Sequence, residues 1–139
     1  MSQVKRGKSK CYCINLRRAA NAVSALYDGY LEPTGLSVTQ FSLLRNLDRL
    51  ENCSVSDLAS FVGLERTTLA RTLKPLLDQG LVEDTAQAGR RNRSLRLTDE
   101  GRHVMELGGP MWDEAQAAVV QRLGEENIPL LEEFLQKLL

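Results

Sequence analysis

The chain has no long apolar run, no net charge, one histidine and only three cysteines. Each shortage closes off a class of function. Nothing approaches the ~18 consecutive apolar residues a membrane helix needs, so no membrane partner is expected. The basic start (Lys5, Arg6, Lys8, Lys10) is followed only by the stretch from Cys11 to Leu16 before Arg17 and Arg18 interrupt it. That is too short for the core of a signal peptide. A cytoplasmic location is expected, where thiols stay reduced. With His103 alone and no second cysteine pair, zinc finds no ligand set; no metal and no cofactor are expected. A nucleophilic Cys11 or Cys13 would need a partnered base, and no His/Asp arrangement supplies one. The sequence therefore does not predict an enzyme. There are no internal repeats and no low-complexity tracts.

The 139 residues carry 18 basic and 18 acidic side chains. Such a balance gives no overall pull toward nucleic acid, so the distribution has to carry the argument. Between residues 64 and 97 stand Arg66, Arg71, Lys74, Arg90, Arg91, Arg93 and Arg96 against Glu65, Asp78, Glu83 and Asp84. From 111 onward the acids dominate: Asp113, Glu114, Glu125, Glu126, Glu132 and Glu133 against Arg122 and Lys137. The middle is basic and the tail acidic.

Residues 1–10 read as a flexible basic arm. From 11 to 31 Cys13, Leu16, Ala20, Val23, Tyr27 and Tyr30 recur at helical spacing, and Pro33 and Gly35 stop the pattern. Ser37-Val38-Thr39-Gln40 has the form of a capping box and opens a second helix through Phe41, Leu44, Leu47 and Leu50. A short helix follows, capped by Ser54 or Ser56, with Leu58, Ala59 and Val62 inward and Gly63 as its breaker. The next helix, about 65–78, has Leu69, Leu73, Leu76 and Leu77 on one side and ends at Gly80. Pro75 should bend or loosen its last turn. Residues 81–85 and 92–97 read as two strands of a hairpin. Thr98-Asp99-Glu100 caps another helix. Gly108-Gly109 should interrupt it, with a restart at Pro110 through Trp112, Ala115, Val119 and Leu123. A last amphipathic helix covers about 126–138. The fold class is mainly α with a small β-hairpin wing.

Two short helices around a glycine turn make a helix-turn-helix, and the hairpin after it takes the place of a wing. With Leu69 and Leu73 buried, Thr67, Thr68, Arg71 and Lys74 point outward, and so does Asp78. In such a motif the start of the second helix meets base edges in the major groove. Threonine can touch a thymine methyl, arginine can grip guanine with two bonds, and Lys74 suits phosphate. The plainer reading is a solvated helix face, which Asp78 fits. At the hairpin tip Arg90, Arg91, Arg93 and Arg96 crowd around Gly89. A solubilising loop is one reading. Insertion into the negative potential of a narrow minor groove is the other.

The sequence resembles the MarR (multiple antibiotic resistance regulator) family over nearly its whole length. The resemblance lies in Ser56-Asp57-Leu58-Ala59, Gly63-Leu64-Glu65-Arg66-Thr67-Thr68-Leu69-Ala70-Arg71, Gly80-Leu81-Val82, Arg90-Arg91 and Leu97-Thr98-Asp99-Glu100-Gly101. Order and spacing together make it specific. It implies a winged helix-turn-helix over 37–103, with 11–34 and 104–139 forming a helical dimerisation region. The implied partners are double-stranded DNA at a pseudo-palindromic site and a second copy of the chain. The implied activity is repression relieved by a small aromatic ligand or an oxidant. Arg66, Thr67, Thr68, Arg71, Lys74, Arg90, Arg91 and Arg93 become the DNA-contacting set. The family's wing usually carries Asp-x-Arg; here Arg91 keeps the arginine and Gly89 replaces the aspartate.

Relatives that sense peroxide use a cysteine in the first helix, so Cys11 and Cys13 are candidates for a redox switch, with Lys8 and Lys10 as an electropositive setting for Cys11. Cys13 as a packing residue and Cys11 without a role form the competing reading. Tyr12, Tyr27, Tyr30 and Trp112 are candidates for an effector pocket, or else core. Winged helices also serve as protein-binding adaptors; the neutral charge suits that alternative, and the arginine-rich wing opposes it.

Overall fold

The computed structural model describes residues 9–85 and 94–139. Helix α1 (Tyr12–Leu31) gives way to a 3-10 turn at Glu32–Thr34. Gly35 closes that turn in the left-handed region, which costs a residue without Cβ little. Helix α2 (Val38–Leu50) begins on the capping box that the sequence announces. Ser37 Oγ accepts from the Gln40 amide at 3.2 Å, and Gln40 Oε1 accepts from the Ser37 amide at 3.0 Å. Asp28 on α1 adds a third tie, its Oδ1 accepting from the Val38 amide at 2.7 Å.

Strand β1 (Cys53–Ser54) leads into α3 (Val55–Val62). Of the two candidate caps, Ser54 is the one used: its Oγ accepts from the Asp57 amide at 3.0 Å. Gly63 turns the chain in the left-handed region, and α4 (Arg66–Asp78) follows. Helix α4 runs through Pro75 without ending. It closes as a Schellman turn, the Gly80 amide on the Leu77 carbonyl at 3.1 Å and the Leu81 amide on the Leu76 carbonyl at 2.9 Å.

Strands β2 (Val82–Asp84) and β3 (Ser94–Leu97) form the expected hairpin. The sheet is three-stranded, antiparallel, in the order β1-β3-β2, with Cys53 opposite Leu95 and Val82 opposite Leu97. Sequence patterning misses β1 because two residues show no alternation.

Helix α5 (Asp99–Leu123) corrects the reading at Gly108-Gly109-Pro110: no break and no restart occur, and one helix of 25 residues passes through. Two glycines and a proline inside a helix cost roughly 1 kcal/mol and 3 kcal/mol per residue, respectively. Packing on both sides offsets this. Gly108 is buried against Phe41 of α2, and a Cβ there would stand 2.5 Å from the Phe41 Cε2 atom. About two turns further on, Ala115 is buried and Gln116 Oε1 accepts from the Tyr27 hydroxyl of α1. A 3-10 turn at Glu125–Asn127 then leads to α6 (Ile128–Leu138).

The core gathers leucines from α2, α3, α4 and the sheet: Leu43, Leu44, Leu47, Leu58, Leu69, Leu73, Leu76 and Leu95, all but closed to solvent. Full burial of each contributes about 1.5–3 kcal/mol. No charged or polar side chain is buried among the described residues. Helices α1 and α6 are different. Leu16, Val23 and Tyr30 on α1, and Leu130, Phe134, Leu135 and Leu138 on α6, are exposed in the single chain.

Candidate nucleic-acid interface

Three leucines decide which way α4 faces. Leu69, Leu73 and Leu76 sit in the core, and the opposite side carries Thr67, Thr68, Arg71 and Lys74, all exposed, with Arg66 exposed at the helix start. Exposed Asp78 shares that side at the C-terminal end. Thr72 commits its hydroxyl proton to the Thr68 carbonyl at 2.9 Å. The N-cap, Glu65, makes no side-chain cap, so the first amides of α4 keep donors free at the positive end of the helix dipole. The groups on this surface match what an inserted helix uses in the major groove.

The wing is described at its base only. Arg90, Arg91 and Arg93, with Gly89, lie outside the described residues. Arg96, at the described base of the hairpin, is paired. Register places it opposite Glu83, and its Nε donates to Glu83 Oε1 at 2.8 Å while Nη2 reaches the same oxygen. The hairpin base is also fastened to α5. Thr98 Oγ donates to the Gly80 carbonyl at 2.6 Å and accepts from the Gly101 amide at 3.0 Å. Gly101 lies so close to the hairpin that a Cβ there would stand 2.1 Å from the Leu81 carbonyl oxygen. Arg102 Nη1 meets Asp48 Oδ1 of α2 at 2.7 Å.

The four aromatics expected to share a pocket are spread along the chain. Tyr12 opens α1 and is 84% exposed; Tyr27 and Tyr30 stand about 22 and about 27 Å further along the same helix, at 1.5 Å per residue. Tyr27 is buried, and burial pushes its phenol pKa up. Trp112 is half-buried against α2, where the Arg45 guanidinium lies 4.1 Å from its ring centroid and 5.9 Å from that of Phe41. No local pattern in the sequence marks Arg45, since only the crossing of α2 and α5 brings it to the indole. Cys11 and Cys13 are exposed at the start of α1, whereas Cys53 is buried in the core. Burial pushes the Cys53 thiol up, and the nearby Asp57 carboxylate raises it further.

A helix-turn-helix, an antiparallel hairpin stapled behind it and flanking helices with apolar faces define a winged-helix protein. Residues 36–88 match the MarR family. The chain is 36% identical to the M. tuberculosis transcriptional regulator MosR, solved in complex with DNA, over 93% of both chains with a TM-score of 0.83. It is 26% identical to the transcriptional repressor CouR bound to a 23-mer DNA duplex, over 99% of both chains, TM-score 0.82. A CouR structure with p-coumaroyl-CoA bound is 25% identical, over 98% of this chain and 97% of that one, TM-score 0.84. The chain belongs to the MarR family of transcriptional regulators. Among its described residues no helix is long and apolar enough to cross a membrane.

Proposed function

We propose that the chain is a cytoplasmic, homodimeric repressor that binds a pseudo-palindromic operator and is released by a small ligand or an oxidant, without catalysing a reaction. The exposed face of α4 carries this reading: Thr67, Thr68, Arg71 and Lys74 stand opposite the leucines that lock the helix in place. Thr67, Thr68 and Arg71 are assigned to base edges and Arg66 and Lys74 to phosphate. Arg90, Arg91 and Arg93 are assigned to the minor groove beside the wing. The unpartnered apolar faces of α1 and α6 support a second copy as the dimer partner. DNA-bound and ligand-bound relatives support the two kinds of ligand. Tyr12, Tyr27, Tyr30 and Trp112 are proposed as effector contacts. Exposed Cys11 and Cys13 are proposed as the oxidant's target.

Fluorescence anisotropy on the DNA upstream of the protein's own gene tests the reading. Binding should weaken as salt rises, because phosphate contacts release counterions. Arg71→Ala should lose about 1–3 kcal/mol and relax the preference at one base pair, while Arg91→Ala should weaken all sequences alike and lower the salt slope by about one. Equal affinity at low and high salt contradicts the proposal. Peroxide should release the bound DNA from the wild type and not from Cys11→Ser/Cys13→Ser; equal release from both proteins removes these two thiols from the mechanism.

A further inference from the structure

Helix α5 belongs to two bodies. Its first turns are built into the winged helix, with Gly101 against Leu81 and Leu97 and with Val104 and Met105 against the leucine core. Its later turns lie on α1, where Ala115 is buried and Gln116 holds the Tyr27 hydroxyl. The change-over falls at Gly108-Gly109-Pro110. Packing explains Gly108, since Phe41 and Thr34 leave no room for a Cβ. It does not explain the other two. A Cβ at Gly109 would meet nothing within 4 Å, and Pro110 is exposed. Both weaken a helix: glycine through backbone freedom, proline by removing an amide donor and crowding the carbonyl four residues back, here Glu106. Two residues that loosen a helix, one with open space at its Cβ and one exposed, stand where it passes between bodies.

We propose that Gly109 and Pro110 form a compliant joint in α5 that lets the winged helix swing relative to the helical half, so that a dimer can fit half-sites of differing separation. The joint itself is a property of the single chain; its use on DNA rests on the reading of the chain as a dimeric regulator.

Full-length wild type, Gly109→Ala and Gly109→Ala/Pro110→Ala test it. By hydrogen exchange without DNA, wild-type amides over 107–114 should exchange about tenfold faster than those of the flanking turns of α5, and the double variant should remove the difference. Uniform protection along wild-type α5 overturns the joint. Each protein is then titrated with a palindromic duplex selected by the wild type from a random library, and with versions whose half-site spacing is changed by one base pair. The double variant should match the wild type on the selected duplex and lose about tenfold more affinity on the altered ones, since a stiff helix confines orientation. Identical spacing tolerance overturns the joint's role on DNA. If the wild type selects no duplex, the regulator reading fails, and the exchange measurement still judges the joint.

Discussion

Thr98 does two jobs with one hydroxyl, capping α5 and holding the Gly80 carbonyl. Thr98→Ala should therefore cost about 1–2 kcal/mol in urea unfolding, at the upper end for a lost cap. Gly101 three residues later tolerates nothing larger. Gly101→Ala pushes a methyl into the Leu81 carbonyl and should cost about 3 kcal/mol, whereas Gly109→Ala, with open space around it, should raise the unfolding midpoint. Cys53 sets a pH dependence of its own. Burial, then Asp57, hold its thiol pKa above the ordinary value, so the folded state binds this proton more tightly than the unfolded chain. The associated stability is complete below the unfolded pKa of about 8.5 and is lost as pH rises through the higher folded value. Urea midpoints should fall above that pH, and the fall should be shallower in Cys53→Ala. A midpoint that rises with alkalinity contradicts the assignment.

Elements whose signals are local were legible in the sequence. The Ser37–Gln40 box, the Gly63 turn, the glycine end of α4 and the Thr98 cap each lie within a few residues, and each falls where the spacing predicts. The outward face of α4 was legible as well, because three leucines at helical spacing fix its rotation. What could not be read depends on distant partners. Strand β1 exists because β3 lies beside it. Helix α5 continues through Gly108 because Phe41, 67 positions earlier, fills the space a side chain would need. The cross-strand register that pairs Arg96 with Glu83 is likewise set by the hairpin. That exposed pair contributes little to stability, about 0–1 kcal/mol, but it hides a charge. Glu83→Gln should leave unfolding nearly unchanged and strengthen DNA binding at low salt by freeing Arg96, a difference that should shrink as salt is added. Unchanged binding at low salt would place Arg96 away from DNA.

Across the whole molecule, the winged helix satisfies itself and the helical half does not. The leucine core is closed, whereas α6 leaves Phe134 and Leu138 exposed and α1 leaves Leu16 exposed. Apolar surface gathered on two helices marks an association site. Leu16→Asp and Phe134→Asp should each shift the protein toward a single subunit in analytical ultracentrifugation, weaken operator binding and barely alter the secondary structure. Retention of the wild-type assembly by both would move the seam elsewhere. The neutral total charge has a counterpart at this scale: it gives no general hold on arbitrary duplex, so in the proposed function binding rests on the few cations assigned to DNA.

The stack of Arg45 on Trp112 has a practical consequence. Trp112 is the only tryptophan in the chain, and it sits on the seam where α2 meets the long helix. Its emission is therefore a natural gauge, present without any dye, of whether that seam is closed. Titrating small molecules or oxidants while watching this single indole would show which of them the protein feels, before any operator is known.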